Sequence, residues 1–180
     1  VHFFANYEYE REPQTALFNT QFPHLNVDQA WARKGKLAGV RLDSQFSPRT
    51  RLTVRGNIWY ERSPFNSGGS SPSAPSRSQG RTRDTNQLLV TLTQVLSNRA
   101  VNEVKGGHAT YYWTHASIVN WANHPQPAAK GLGSPIITFR GFTIGQGHAN
   151  TPQRDGQDYY SVRDDFTYSF TKAGRHDLKL

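Results

Sequence analysis

The chain has 180 residues, of which 35% are hydrophobic and 12% are aromatic, and its net charge at pH 7 is +8. This aromatic content excludes a largely disordered chain, which would be poor in aromatic residues. The absence of cysteine excludes thiol catalysis, disulfides and cysteine-based zinc sites, and no apolar run is long enough for a transmembrane helix. The chain lacks methionine and begins at Val1 within an alternating segment, so we expect it to be cut from a larger protein.

Five segments alternate apolar and polar residues with a period of two, which predicts β-strands with one apolar face each. In chain order they cover residues 1–10, 36–46, 51–62, 86–96 and 160–170. Residues 176–180 begin a further strand of the same kind. No long segment shows helical periodicity, so the sequence predicts an all-β fold.

The segment 100–115 is also strand-like, but its register is ambiguous. Glu103 and Lys105 mark a polar face that does not continue to His108. We therefore expect a β-bulge near Gly106 and Gly107 to join its two halves.

The connections between these strands alternate between short and long. Short links lie at residues 47–49, 97–99 and 172–175, and long ones at about 13–33, 63–85 and 116–157, the second being rich in Ser, Gly and Pro. Outer-membrane β-barrels have short periplasmic turns and long extracellular loops. The predicted segments reach the roughly 9–11 residues that a tilted strand needs to cross a bilayer. We therefore predict an antiparallel transmembrane β-barrel segment of about seven or eight strands in the bacterial outer membrane.

Aromatic residues cluster toward the ends of the predicted strands, at residues 59–60, 111–113 and 159–160. Outer-membrane barrels carry aromatic girdles at both membrane interfaces. These clusters are consistent with such girdles, although strands of soluble proteins also favour aromatic residues.

Three stretches resemble the barrel region of TonB-dependent receptors, particularly the Oar-like kind with a carboxypeptidase-regulatory-like N-terminal domain. Residues 3–8 resemble an aromatic-rich FF-x-N/S-YE strand, and residues 96–104 resemble the turn and Asn-Glu strand that follows. Residues 160–180 resemble the Asp-Asp … Gly-Arg-His-x-x-Lys hairpin of the family, the most specific of the three.

This resemblance implies that residues 1–180 are a partial barrel domain of a larger receptor with about 22 strands. It implies substrate uptake driven by an inner-membrane energy complex. The implied partners are outer-membrane lipid, a plug domain, the TonB complex and an unknown substrate. The plug domain and the TonB box do not appear in this sequence, and the resemblance implies no cofactor.

The polar faces of the predicted strands supply the candidate lumen residues. Their simplest role is cross-strand pairing that keeps a wet barrel interior ordered. The alternative role is a lumen surface that binds the plug and the passing substrate. These residues are Arg41, Asp43, Arg51, Arg55, Glu61, Glu103, Lys105, Arg163 and Asp165. Trp121 and Phe142, in the third long loop, are candidates for ligand contact, with loop packing as the alternative.

Nothing in the sequence points to catalysis or to a metal site. Neighbouring residues on a strand point to opposite faces, so Asp164 and Asp165 are not expected to act as a pair, and Asp164 falls on the apolar face. No nucleophile elbow or phosphate-binding loop occurs. No metal-binding spacing relates the four histidines His108, His115, His124 and His148.

Two other classes of protein remain open on the sequence alone. A soluble β-sandwich that binds glycans or another protein would also show alternating strands, but the alternating loop lengths disfavour it. A basic nucleic-acid-binding β-domain would suit the positive charge. The dispersal of basic residues among acidic ones argues against that class, so we expect no nucleic acid partner.

Overall fold

The structure is a computed structural model that describes residues 1–67, 73–118, 135–145 and 152–180. Nine strands occur in these residues: β1 (His2–Phe18), β2 (Val27–Ser47), β3 (Thr50–Ser67), β4 (Gln79–Ser97), β5 (Ala100–Ser117), β6 (Ile137–Phe139), β7 (Phe142–Ile144), β8 (Gln153–Thr171) and β9 (Arg175–Lys179). Short 3-10 helices lie at Pro23–Leu25 and Pro75–Arg77. No helix in the described part of the chain is long and apolar enough to cross a membrane.

Seven strands form one antiparallel sheet in the order β1-β2-β3-β4-β5-β8-β9, while β6 and β7 form a separate hairpin. Each sheet strand pairs with its neighbours in the chain apart from the inserted hairpin, which confirms the predicted all-β antiparallel class. The short links fall at one end of the sheet, between β2 and β3, β4 and β5, and β8 and β9. The last of them needs left-handed backbone at Ala173 and Gly174, with φ of 54° and 137°.

The strands are longer than the sequence predicted, and the long connections are correspondingly shorter. β1 runs to Phe18 and β2 starts at Val27, so the first connection is 19–26 and not 13–33. β3 and β4 likewise extend into the segment 63–85, and β5 and β8 into 116–157. These extensions carry polar and charged residues on both faces, so hydrophobic periodicity could not reveal them.

The bulge expected near Gly106 and Gly107 is absent, and that prediction was wrong. β5 pairs without interruption from Glu103 to His108 against both β4 and β8. His108 therefore lies on the apolar face, where its ring stacks on Tyr160 with centroids 4.5 Å apart. This aromatic contact explains how a polar residue fits that position without a change of register.

The pairing sorts the side chains of the sheet into two faces, which we call the apolar face and the polar face. Asp164 lies on the apolar face opposite Val104, as its position in the sequence predicts. The apolar face is largely exposed, with Val162 at 87% exposure. Its members include Phe3, Val40, Leu42, Val54, Leu88, Val90, Leu92, Val104, Tyr160 and Val162.

The sheet has no second layer among the described residues. Phe18 and Ala100 are the buried hydrophobic residues there. A soluble β-sandwich needs two sheets whose apolar faces share a core, so the sandwich alternative does not fit this arrangement.

On each strand, the apolar face carries a run of apolar side chains that we call the apolar stretch. Together these stretches form a band that crosses the sheet obliquely. Tyr9, Tyr60 and Tyr112 lie in one row of cross-strand neighbours that ends at Gly156 on β8. The apolar stretch of β1 ends at Tyr9, whereas that of β8 starts beyond Gly156, at Tyr160. Strands that are tilted in a barrel wall produce this offset, because rows of hydrogen-bonded neighbours are then inclined to the membrane plane.

A charge placed at the centre of the apolar stretch of β4 should destabilise the protein. We expect Leu92→Arg to lower the free energy of unfolding by about 2–4 kcal/mol in a bilayer, because the guanidinium would face lipid. Thr93→Arg is the matched control, since Thr93 lies on the polar face beside Glu103. Urea unfolding of the full-length protein in phospholipid vesicles measures both changes. An equal or larger loss for Thr93→Arg would contradict the assignment of the faces.

Candidate functional site

All nine residues that the sequence analysis proposed for a lumen lie on the polar face. The register brings several of them directly opposite one another across neighbouring strands. These pairs are Arg41 with Arg55, Glu103 with Asp165, and Lys105 with Arg163. The role of this face as the lining of a lumen stays a prediction. The structure places the nine residues in three separate groups.

The first group joins β5 to β8. Lys105 Nζ lies 2.7 Å from Glu103 Oε2 and 2.9 Å from Asp165 Oδ2. Arg163 Nε lies 2.6 Å from Asp165 Oδ1, and the Thr93 hydroxyl donates to Glu103 at 3.2 Å. Two cations alternate with two carboxylates, so the group holds the strands in register with little net charge.

The second group centres on Asp43 of β2. Its carboxylate lies 2.8 Å from Arg41 Nε and 2.7 Å from Arg51 Nη2, and it accepts a hydrogen bond of 2.7 Å from the Thr53 hydroxyl. Arg55 lies directly opposite Arg41 and has no carboxylate within 4.0 Å in the described part of the chain. This group therefore presents an excess of positive charge on the polar face.

The third group centres on Glu61, which is only 2% exposed. Its carboxylate accepts hydrogen bonds from Arg81 at 2.7 and 3.1 Å and from Arg33 at 3.3 Å, and Arg83 lies 3.9 Å away. A buried carboxylate is tolerated only when it is paired and hydrogen-bonded, and here three guanidinium groups surround it. Glu61 was predicted from the sequence to lie on the polar face, but its three arginine partners were not predicted.

Arg33 extends this third group to β1. It forms ion pairs with Glu10 and, at 2.8 Å, with Glu12. The hydrogen bond from Arg33 to Glu12 is the main cause that lowers the pKa of that carboxyl. Arg33, Arg81 and their neighbours fell in segments that were expected to be loops, so their alternation opposite Glu61 was not considered.

The polar face also carries some of the clustered aromatic side chains whose positions in the sequence are consistent with interfacial girdles. Trp59 lies opposite Leu37 on one side and Thr85 on the other, and Thr85 lies opposite Tyr111. Tyr60, by contrast, lies on the apolar face. The pairing thus divides each aromatic cluster between the two faces, because neighbouring strand residues point in opposite directions.

Phe142, the first residue of β7, packs against other aromatic residues of the long connections. Its ring stacks on Phe139 at a centroid distance of 4.9 Å and meets Phe22 edge-on at 6.0 Å. Phe142 therefore links the β6–β7 hairpin to the connection between β1 and β2. A role in ligand contact stays a prediction for Phe142, and Trp121 lies outside the described residues.

Further hydrogen bonds tie the hairpin to two other connections. The Gln21 side chain donates to the Arg140 carbonyl at 3.0 Å, and the Ala74 amide donates to the Thr143 carbonyl at 2.9 Å. The third long connection thus contacts the other two at the end of the sheet opposite the short turns.

The histidines do not converge in the described residues. His108 lies on the apolar face and His115 on the polar face, and His124 and His148 lie outside those residues. No cluster of three potential metal ligands is found among the side chains that the structure describes.

The family to which the chain belongs follows from a comparison of its sequence with known families. A family model described as an outer membrane beta barrel domain matches residues 9–180. The chain belongs to this family. No curated protein and no solved structure matches it. The barrel domain is therefore located in the bacterial outer membrane, and its sheet forms part of a barrel wall.

Removing the carboxylate of Glu61 should destabilise the barrel domain. We expect Glu61→Ala to lower the free energy of unfolding by about 3–5 kcal/mol, because it leaves clustered guanidinium groups without their buried partner. Glu8→Ala is the matched control, since Glu8 is exposed on the same face and has no ion pair within the described residues. Its expected effect is within about 0.5 kcal/mol. Equal losses in urea unfolding of the two variants would refute the structural role of Glu61.

Proposed function

We propose that the barrel domain is part of a TonB-dependent receptor of the Oar-like kind. In this proposal the sheet is a section of a wide barrel wall through which a substrate is taken up. The apolar face meets outer-membrane lipid, the polar face meets a plug domain, and the TonB complex supplies the energy. The domain has no catalytic step of its own.

One observation in particular supports a wide barrel. Every ion pair of the described residues joins side chains on the same strand or on adjacent strands. In a barrel of about eight strands the interior is narrow enough for side chains to fill it, and residues of distant strands would meet. The ion pairs of the polar face instead stay between neighbouring strands, which suits the wider barrel of roughly 22 strands that a plugged transporter has.

The charge on this wall agrees with a plug on the inner side. Arg55 is exposed and has no carboxylate partner in the described part of the chain, and it lies opposite a second arginine, Arg41. Like charges that lie directly opposite each other on paired strands destabilise the pair, and of these two arginines Asp43 offsets the charge of Arg41 alone. A carboxylate of a plug or of a substrate would relieve that repulsion. The resemblance of residues 160–180 to the family hairpin supports the same proposal.

Photo-crosslinking tests whether the polar face borders a plug. The photoreactive residue benzoylphenylalanine replaces Arg55 in one variant of the full-length protein and Ile58, on the apolar face, in the other. We expect irradiation in cells to join position 55 to a plug segment of the same protein and position 58 to lipid alone. Peptide mass spectrometry identifies the products. An absence of any protein adduct at position 55 would indicate an open pore and would overturn the plugged-receptor proposal.

A separate experiment tests energy coupling. Formaldehyde treatment of intact cells should trap the full-length protein with TonB, because the two meet during uptake. Copurification of TonB under denaturing conditions is the expected result. If a plug adduct forms but TonB is never trapped, the protein is a plugged channel without energy coupling.

A further inference from the structure

Beyond the apolar stretch, the apolar face continues into a row of basic residues. Arg11 of β1 lies opposite Lys34 of β2, and Lys34 lies opposite Arg62 of β3. Lys36 lies in the adjacent row, between Tyr9 and Tyr60. We call Arg11, Lys34, Lys36 and Arg62 the basic row.

The basic row has no carboxylate partner among the residues that the structure describes. All four side chains are exposed, and none has a carboxylate within 4.0 Å among the residues that the structure describes. Like charges directly opposite each other on paired strands destabilise a sheet. At the same end of the sheet, the cations of the polar face have carboxylate partners: Arg81 pairs with Glu61, and Arg33 pairs with Glu61, Glu10 and Glu12. The contrast between the two faces indicates that the anion for the basic row comes from outside the chain.

The position of the row identifies the surroundings of that anion. Arg11 and Arg62 each lie two residues beyond a tyrosine that ends the apolar stretch. Two residues correspond to a distance of about 6–7 Å along a strand. Tyrosines at such places mark the level of the membrane interface. The row therefore lies at the depth of lipid headgroups and points outward to them.

The topology identifies the leaflet. The basic row lies at the end of the sheet that carries the long connections, whereas the short turns lie at the other end. Long connections of outer-membrane barrels are extracellular, so the row meets the outer leaflet. A hollow next to it is lined by Arg11 and Lys34 together with residues that include Pro13, Ala30, Ala32 and the larger Trp31.

We propose that the basic row binds the phosphate groups of an outer-leaflet glycolipid. Arginine donates in a fork that matches phosphate oxygens, and lysine adds a compact positive charge. The hollow next to Arg11 and Lys34 accommodates the adjoining sugar. This lipid contact belongs to the outer-membrane location of the domain and is independent of the proposed transport role.

Titrations monitored by native mass spectrometry test the proposal on the full-length protein. The probes are bisphosphorylated lipid A, the same lipid without its phosphates, and inorganic phosphate. The first variant combines Arg11→Gln, Lys34→Gln and Arg62→Gln. The matched control removes three cations from the short turns by combining Arg49→Gln, Arg99→Gln and Lys172→Gln.

We expect the unmodified protein and the control to bind bisphosphorylated lipid A at least about tenfold more tightly than the phosphate-free lipid, because charge-assisted hydrogen bonds to phosphate are lost in the latter. The first variant should lose this preference. Equal binding of the two lipids by the unmodified protein overturns the proposal, and this comparison requires no variant to fold. Retention of the preference in the first variant also overturns it. Displacement of lipid A by an equal concentration of inorganic phosphate would assign the site to free phosphate and overturn it as well.

Discussion

The structure depends on the solvent that covers its apolar face. The seven-stranded sheet exposes a continuous apolar surface, and its described residues contain only Phe18 and Ala100 as buried hydrophobic side chains. Such a single layer has no core of its own, so it is stable only where lipid replaces water on that face. Backbone groups in lipid also have to be hydrogen-bonded, since each unsatisfied group costs several kcal/mol. In the barrel wall, the outer edges of β1 and β9 therefore need pairing partners.

The same constraint explains where the charges are. Within the apolar stretches, most charged side chains lie on the polar face, where many are tied into groups centred on Asp43, Glu61 and Lys105. Asp164 is an exception, since it lies on the apolar face opposite Val104. Beyond the row that contains Tyr9, Tyr60 and Tyr112 the constraint ends, and charged residues occupy both faces. Cations predominate there on the outward side, where they meet headgroups instead of hydrocarbon. The alternation of side chains thus separates a polar face from an apolar face along each strand.

Much of this arrangement could be predicted from the sequence, because a period of two is a direct consequence of strand geometry. Alternating segments such as residues 88–96 predicted the strands and the residues of the polar face. Short links such as residues 97–99 predicted that consecutive strands pair antiparallel. The ends of the strands could not be predicted, since outside the bilayer both faces are polar and the period disappears. For that reason the arginines around Glu61 were missed. The register at Gly106 was also mispredicted, because a histidine on an apolar face is acceptable once it stacks on an aromatic ring, and that contact depends on a distant strand.

The alternating exposure of successive side chains along β8 tests the central claim most directly. The chain contains no cysteine, so within it spin labels can be attached at single introduced cysteines from Tyr160 to Phe170. The labelled full-length protein, with any cysteine elsewhere replaced by serine, is placed in outer-membrane lipid. Collisions with oxygen report lipid contact, and collisions with a water-soluble nickel chelate report aqueous contact. The account predicts two opposed patterns with a period of two, with oxygen maxima at positions such as Val162 and nickel maxima at positions such as Arg163. Nickel access at both faces, or the opposite phase, would contradict the assignment of this sheet as a barrel wall.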